Sequence, residues 1–120
     1  MIRAMSPADL PPPEVRIPIE ELIEGLSAPG ALGALGPGEQ VCHTHLSVVF
    51  LTPTHAIKCK KPARFWGLVD QASFARRERA CRLEVELNRR LAPSLYLGVE
   101  PIIRRGAGLS VGGVGEALEY

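Results

Sequence analysis

The chain has 120 residues, of which 46% are hydrophobic and only 5% aromatic, which bounds it at one domain with a modest core. Fourteen basic side chains against 13 acidic ones leave a formal charge of +1, too little for a global field toward nucleic acid or a membrane surface. Three cysteines, Cys42, Cys59 and Cys81, make an odd set without a signal-peptide pattern. That points to a reducing, cytoplasmic setting, and no apolar run reaches the roughly 20 residues that cross a bilayer.

Residues 1–17 read as a flexible, proline-rich arm. Pro7 and the run Pro11-Pro12-Pro13 lack amide donors and resist both helix interior and central strand. Residues 18–39 follow as a short helix and a Gly/Pro linker. Pro18 suits a first turn, Glu20 and Glu21 suit the positive end of the helix dipole, and Ile19, Leu22, Ile23 and Leu26 share one face.

From residue 40 to 120 the pattern becomes that of a packed lobe. Val41 to His43, Val48 to Leu51 and Ala56 to Lys60 read as short antiparallel strands, with Thr52 to His55 as a hairpin turn. Lys61 to Val69 is a basic, aromatic loop in which Pro62 and Gly67 end any regular element. A long helix is expected from a cap at Asp70 or Ser73 to about Ala92, before Pro93. Tyr96 to Ile103 and Leu109 to Val111 are strand-like, and Glu116 to Tyr120 opens another element. Strands with one long helix on one face make an α+β lobe.

Helical phase separates two acidic candidates. Phe74, Ala80, Cys81, Leu83, Val85, Leu87, Leu91 and Ala92 form one wide apolar arc with Glu84 near its middle, whereas Glu86 falls among arginines, with Arg82 and Arg90 as i,i+4 partners. A carboxylate on an apolar face needs a cation. Lys58, on the third strand, is the partner this reading assigns, and the pair has the makings of a phosphate-positioning unit. An ordinary helix-to-sheet ion pair is the plainer alternative.

The block Thr44 to Leu51, then Ala56-Ile57-Lys58-Cys59-Lys60-Lys61-Pro62, then Arg76 to Pro93 with its string Leu87-Asn88-Arg89-Arg90-Leu91-Ala92-Pro93, and then Leu95-Tyr96-Leu97-Gly98-Val99 resemble the start of the aminoglycoside phosphotransferase-like family. More narrowly, they resemble the bacterial branch whose members often carry a second, P-loop ATP-binding domain. The resemblance implies a protein-kinase-like amino-terminal lobe, a small antiparallel sheet with one long packed helix, that ends before the inter-lobe hinge. It places Lys58 at the lysine strand and Glu84 at its helix partner, with ATP as cofactor and Mg only in a complete two-lobe protein. Thr44 and Ser47 stand where protein kinases carry a glycine-rich loop, and would cap a phosphate. Phe65-Trp66-Gly67-Leu68-Val69-Asp70 keeps the shape of the family's aromatic-glycine-aromatic loop with altered residues.

The family's catalytic aspartate, its asparagine and its magnesium-binding aspartate belong to a carboxy-terminal lobe that this sequence does not contain. No catalytic residue is therefore expected in the chain. The implied function is the nucleotide-binding half of a phosphotransferase with a small hydroxyl-bearing acceptor, completed by that lobe or by a protein partner. The alternative is a non-catalytic kinase-like remnant or interaction module.

Two further readings draw on local clusters. Cys42, His45, His55 and Cys59 have the spacing C-x2-H-x9-H-x3-C, but strand alternation turns Cys59 away from Lys58 and opposes a tetrahedral zinc cluster, so no metal is expected. Lys58, Lys60, Lys61 and Arg64 with Phe65 and Trp66 make a basic, aromatic patch, too small beside the near-neutral charge for nucleic-acid binding.

Overall fold

A computed structural model of the chain describes residues 10–65 and 69–120. The first part of the proline-rich arm, with Pro7, and the loop residues Trp66, Gly67 and Leu68 lie outside the described residues. The architecture is α+β, with two α-helices and small antiparallel sheets among the described residues.

Helix α1 spans Ile19–Ser27, with Glu20 and Glu21 in its first turn. Leu22 and Leu26 are each 1% exposed, and each contributes about 1.5–3 kcal/mol of transfer free energy as an upper estimate. At Gly25 the helix backbone comes so close to Leu109 that an added Cβ would lie 2.5 Å from its Cδ1. A side chain there would require the Leu109 side chain or the helix to shift. The linker that follows contains one 3-10 turn, Gly33–Leu35.

Strands β1 (Gln40–His43), β2 (Ser47–Leu51) and β3 (Ala56–Lys60) form a sheet in sequence order. Thr52 closes the β2–β3 turn, its amide donating to the His55 carbonyl at 2.9 Å and its hydroxyl accepting from the His55 amide at 2.9 Å. The register pairs Val49 with Lys58 and Val48 with Cys59. Val48, Phe50 and Cys59 consequently enter the core with Leu22, Leu26, Ile102 and Leu109.

The loop after β3 is more regular than its proline and glycine suggest. Arg64–Phe65 (β4) and Val69–Asp70 (β5) pair antiparallel, and Gln71 fastens their base by donating to the carbonyls of Leu46 and Lys61 at 2.9 and 3.1 Å. Helix α2 runs Phe74–Arg89 from a Ser73 cap, whose hydroxyl accepts the Arg76 amide at 3.2 Å. It ends three residues before the expected Ala92; a looser turn at Arg90 to Ala92 leads to Pro93.

Strands β6 (Ile102–Arg105), β7 (Gly108–Val111) and β8 (Ala117–Glu119) form the last sheet in the order β7-β6-β8. Gly106, at φ +61°, makes the tight β6–β7 turn. The strand expected from Tyr96 begins only at Ile102. Pro101 lacks an amide donor, and among the described residues no strand pairs with residues 96–101. A backbone bond of 3.2 Å from the Lys60 amide to the Tyr120 carbonyl links the end of β3 to the segment just past β8.

Two expectations about packing change. The packed chain begins inside the proline-rich arm: the Glu14 amide donates to the Ala72 carbonyl at 2.7 Å, Glu14 Oε1 accepts the Phe74 amide at 3.0 Å, and Ile17 is buried. The inward face of α2 is Phe74, Arg77 and Cys81 rather than the leucine arc. Leu83, Leu87 and Leu91 are 49%, 46% and 90% exposed. Arg77, wholly buried, takes a place on the inward face that the expected arc did not include.

Candidate functional site

Alternation along β3 puts Lys58 and Lys60 on one face and Cys59 on the other. Both lysines reach across to α2 and meet Glu84. Lys58 Nζ donates to Glu84 Oε1 at 3.0 Å, and Lys60 Nζ donates to Oε2 at 2.5 Å. The pairing of Lys58 with Glu84 is the one assigned from helical phase. Lys60 was not assigned to it, although the i,i+2 spacing carried the signal. Glu86 is exposed and 4.0 Å from Arg90, while Arg82 pairs with Glu78 instead.

The three groups line a cavity of about 540 Å³. Val49 and Ala56 close it from the sheet, Cys81 and Val85 from α2, Tyr120 from the far end, and the segment Ser94 to Val99 from above. Arg89 fixes that segment, donating from Nε to the Tyr96 carbonyl at 2.7 Å and from its terminal nitrogen to the Leu97 carbonyl. Arg89 is thus a second residue that supports the site and was not singled out from the sequence.

The electrostatics suit an anion. One carboxylate faces two ammonium groups, so the cluster keeps one positive charge in excess. Burial pushes the Glu84 carboxyl up, but the hydrogen bonds from Lys60 and then Lys58 outweigh it and hold the group below the ordinary carboxylate range. Burial raises the Cys81 thiol to about 11 and the Cys59 thiol to about 12, so neither is a thiolate nucleophile at neutral pH.

Thr44 and Ser47 are not among the residues that line this cavity. The Thr44 hydroxyl accepts the Ser47 amide at 2.9 Å, the Thr44 amide donates to the Ser47 carbonyl at 2.9 Å, and Ser47 is buried. Their turn is closed on itself. Lys61 and Arg64 are engaged as well, Lys61 with the Thr44 carbonyl at 2.7 Å and Arg64 Nε with Asp70 at 3.4 Å. Among the described residues no group of three or more His, Cys, Asp or Glu is placed to hold a metal ion. Nor, among them, is any helix long and apolar enough to cross a membrane.

The sheet ends against a second ion pair at the start of α2. Arg77 Nε contacts both Glu119 oxygens at 2.9 and 3.1 Å, while its terminal nitrogens donate to the carbonyls of Gln71, Ala72 and Glu14 at 2.9, 3.0 and 2.9 Å. Arg16 stacks over Phe74 at 3.6 Å and reaches the Ala117 carbonyl at 3.2 Å. This buried node sets where α2 begins, and so helps fix Glu84 relative to β3.

No protein-family model matches the sequence, and no solved structure does. The chain is 44% identical over 63 residues to uncharacterized proteins of Mycobacterium bovis and of two strains of Mycobacterium tuberculosis. The match covers 52% of this chain and 12% of each relative's own length.

Proposed function

We propose that the chain supplies the phosphate-binding half of an ATP-dependent phosphotransferase whose acceptor is a small hydroxyl-bearing molecule, in the manner of a kinase-like amino-terminal lobe. The observation that carries the reading is the junction of β3 and α2 through Lys58 and Glu84 in the wall of a 540 Å³ cavity. A lysine held by a helix carboxylate is the arrangement that orients nucleotide phosphates. The excess positive charge suits polyphosphate, and Val49, Val85 and Val99 offer apolar wall for the rest of a nucleotide.

Magnesium fits this half poorly. Glu84 is the only carboxylate lining the cavity among the described residues, and both its oxygens are engaged by lysine. The metal and the proton acceptor therefore fall to groups outside these residues, and the chain alone is assigned binding rather than turnover. The 120-residue chain, titrated calorimetrically with ATP and with adenosine at low salt, should bind ATP at least about tenfold more tightly, and Lys58→Ala should abolish most of that preference. Equal binding of the two ligands, or a Lys58→Ala chain that still prefers ATP, would sink the reading.

The second reading, a non-catalytic interaction module, draws on Leu83, Leu87, Leu91, Leu95 and Leu97, all large apolar side chains in contact with solvent. It gains ground if the chain binds no nucleotide at millimolar concentration.

A further inference from the structure

The two lysines on Glu84 are not equivalent. Lys60 has a side chain only 11% exposed, and Lys58 one that is 46% exposed. The backbone of Lys60 is fixed from both sides, paired with Ser47 in β2 and bonded through its amide to Tyr120. Lys58 faces Val49 in the register, two residues nearer the β2–β3 turn, and its side chain is the more exposed of the two.

This asymmetry bears on what happens when a phosphate arrives. In a pair of one lysine and one glutamate, any movement of the ammonium toward a ligand strips the half-buried carboxylate of its cation, and the cost of that uncompensated charge opposes binding. Here a second ammonium is already seated on the other oxygen. Resting on the nucleotide-binding reading above, we infer that Lys60 is the resident partner of Glu84 and a positioning residue for the site, while Lys58 is the exchangeable cation that leaves Glu84 for the ligand's phosphate.

The chemistry of the side chains agrees with this division. Both are flexible ammonium stems, so the environment rather than the residue type decides which one stays. Lys60 is shielded from water and from salt, and Lys58 is screened by both. The groups that face the carboxylate are Lys58 and Lys60 from β3 and the neutral Cys81 thiol from its own helix.

The test reads Glu84 directly by carbon-13 carboxyl NMR across an acid titration, in the full chain and in Lys58→Met, Lys60→Met and Lys60→Arg. Lys60→Met is expected to raise the Glu84 titration midpoint by about one unit or more, Lys58→Met to raise it by clearly less, and Lys60→Arg to restore it. A Lys58→Met shift equal to or larger than that of Lys60→Met overturns the assignment. Should Lys60→Met fail to fold, reductive methylation of the wild-type chain, read residue by residue, decides the same point. Lys58 should be labelled at least about tenfold faster than Lys60, and equal rates overturn the assignment. Adding ATP or inorganic tripolyphosphate should slow Lys58 alone; slowing of Lys60 instead overturns its role as the resident partner. The carboxyl titration needs no ligand, so a chain that binds neither ATP nor tripolyphosphate refutes the nucleotide reading while leaving the Lys60 pairing to its own result.

Discussion

Two of the ion pairs on helix α2, at Arg77 and at Glu84, lie about two turns apart, and they are built in opposite ways. Arg77 and Glu119 are sealed, with side chains 0% and 4% exposed. Lys58, Lys60 and Glu84 border a cavity, with exposures of 46%, 11% and 26%. The sealed pair uses a rigid guanidinium fork whose three nitrogens all find fixed acceptors, and the open cluster uses flexible point charges with one cation to spare. The carboxylates respond with opposite signs. Burial lifts Glu119 above the ordinary range in spite of Arg77, whereas the two lysines overcome burial and hold Glu84 below it. The difference teaches that an ion pair in this fold keeps a charge to spare at a cavity wall when it is incompletely buried, and acts as a structural joint when every donor is spoken for.

The sharpest way to break that comparison is at the joint. Arg77→Met takes the guanidinium from the Glu119 carboxyl and one donor from each of three backbone carbonyls, of which that of Ala72 keeps the Glu14 amide, and should cost about 3–5 kcal/mol in urea unfolding; a loss below about 1 kcal/mol would dissolve the distinction. Glu84→Gln removes one charge beside two lysines in a partly solvated place. It should cost about 1–2 kcal/mol of stability. Lys58→Ala should change stability by less than about 1 kcal/mol while removing most of the preference for ATP over adenosine. A large loss of stability in that variant would make Lys58 a structural residue.

The smallest effect is in acid, and its sign sharpens the contrast. Because Glu84 is held below its unfolded value near 4.5, its contribution is present above that pH and is lost as pH falls through its folded value. Glu119, held above 4.5, acts the other way: protonation favours the folded chain, and this contribution fades as pH rises through the folded value. Carboxyl NMR midpoints on opposite sides of 4.5 are the expected result, and midpoints on the same side would remove the electrostatic half of the comparison.

Much of this was legible from residue order. Short apolar runs either side of a turn marked β2 and β3, period-3.6 patterning marked α1 and α2, and their combination brought Lys58 to Glu84. Lys60 was equally readable by alternation, but a basic run ending in Lys61 resembles a solvated face. Arg77 was not readable, since it sits between Arg76 and Glu78 and its partner Glu119 lies 42 residues away. A buried arginine shifts the helix phase, and that shift turned the expected leucine arc outward. Residues 96–101 failed as a strand for a tertiary reason: Arg89 takes two of their carbonyls, and no neighbouring strand is there to use the rest.

The node at Arg77 also has a consequence for how the chain folds. Its hydrogen bonds close loops of 63 residues to Glu14 and 42 residues to Glu119, so its guanidinium can be satisfied only after segments from both ends have met on α2. Such long closures cost chain entropy before any contact repays it, which slows folding relative to a helical chain of the same length. Trimming residues up to Glu14, or cutting before Glu119, removes partners of the same guanidinium, so cuts at opposite ends of the sequence should release the start of α2 and loosen Glu84 in the same way.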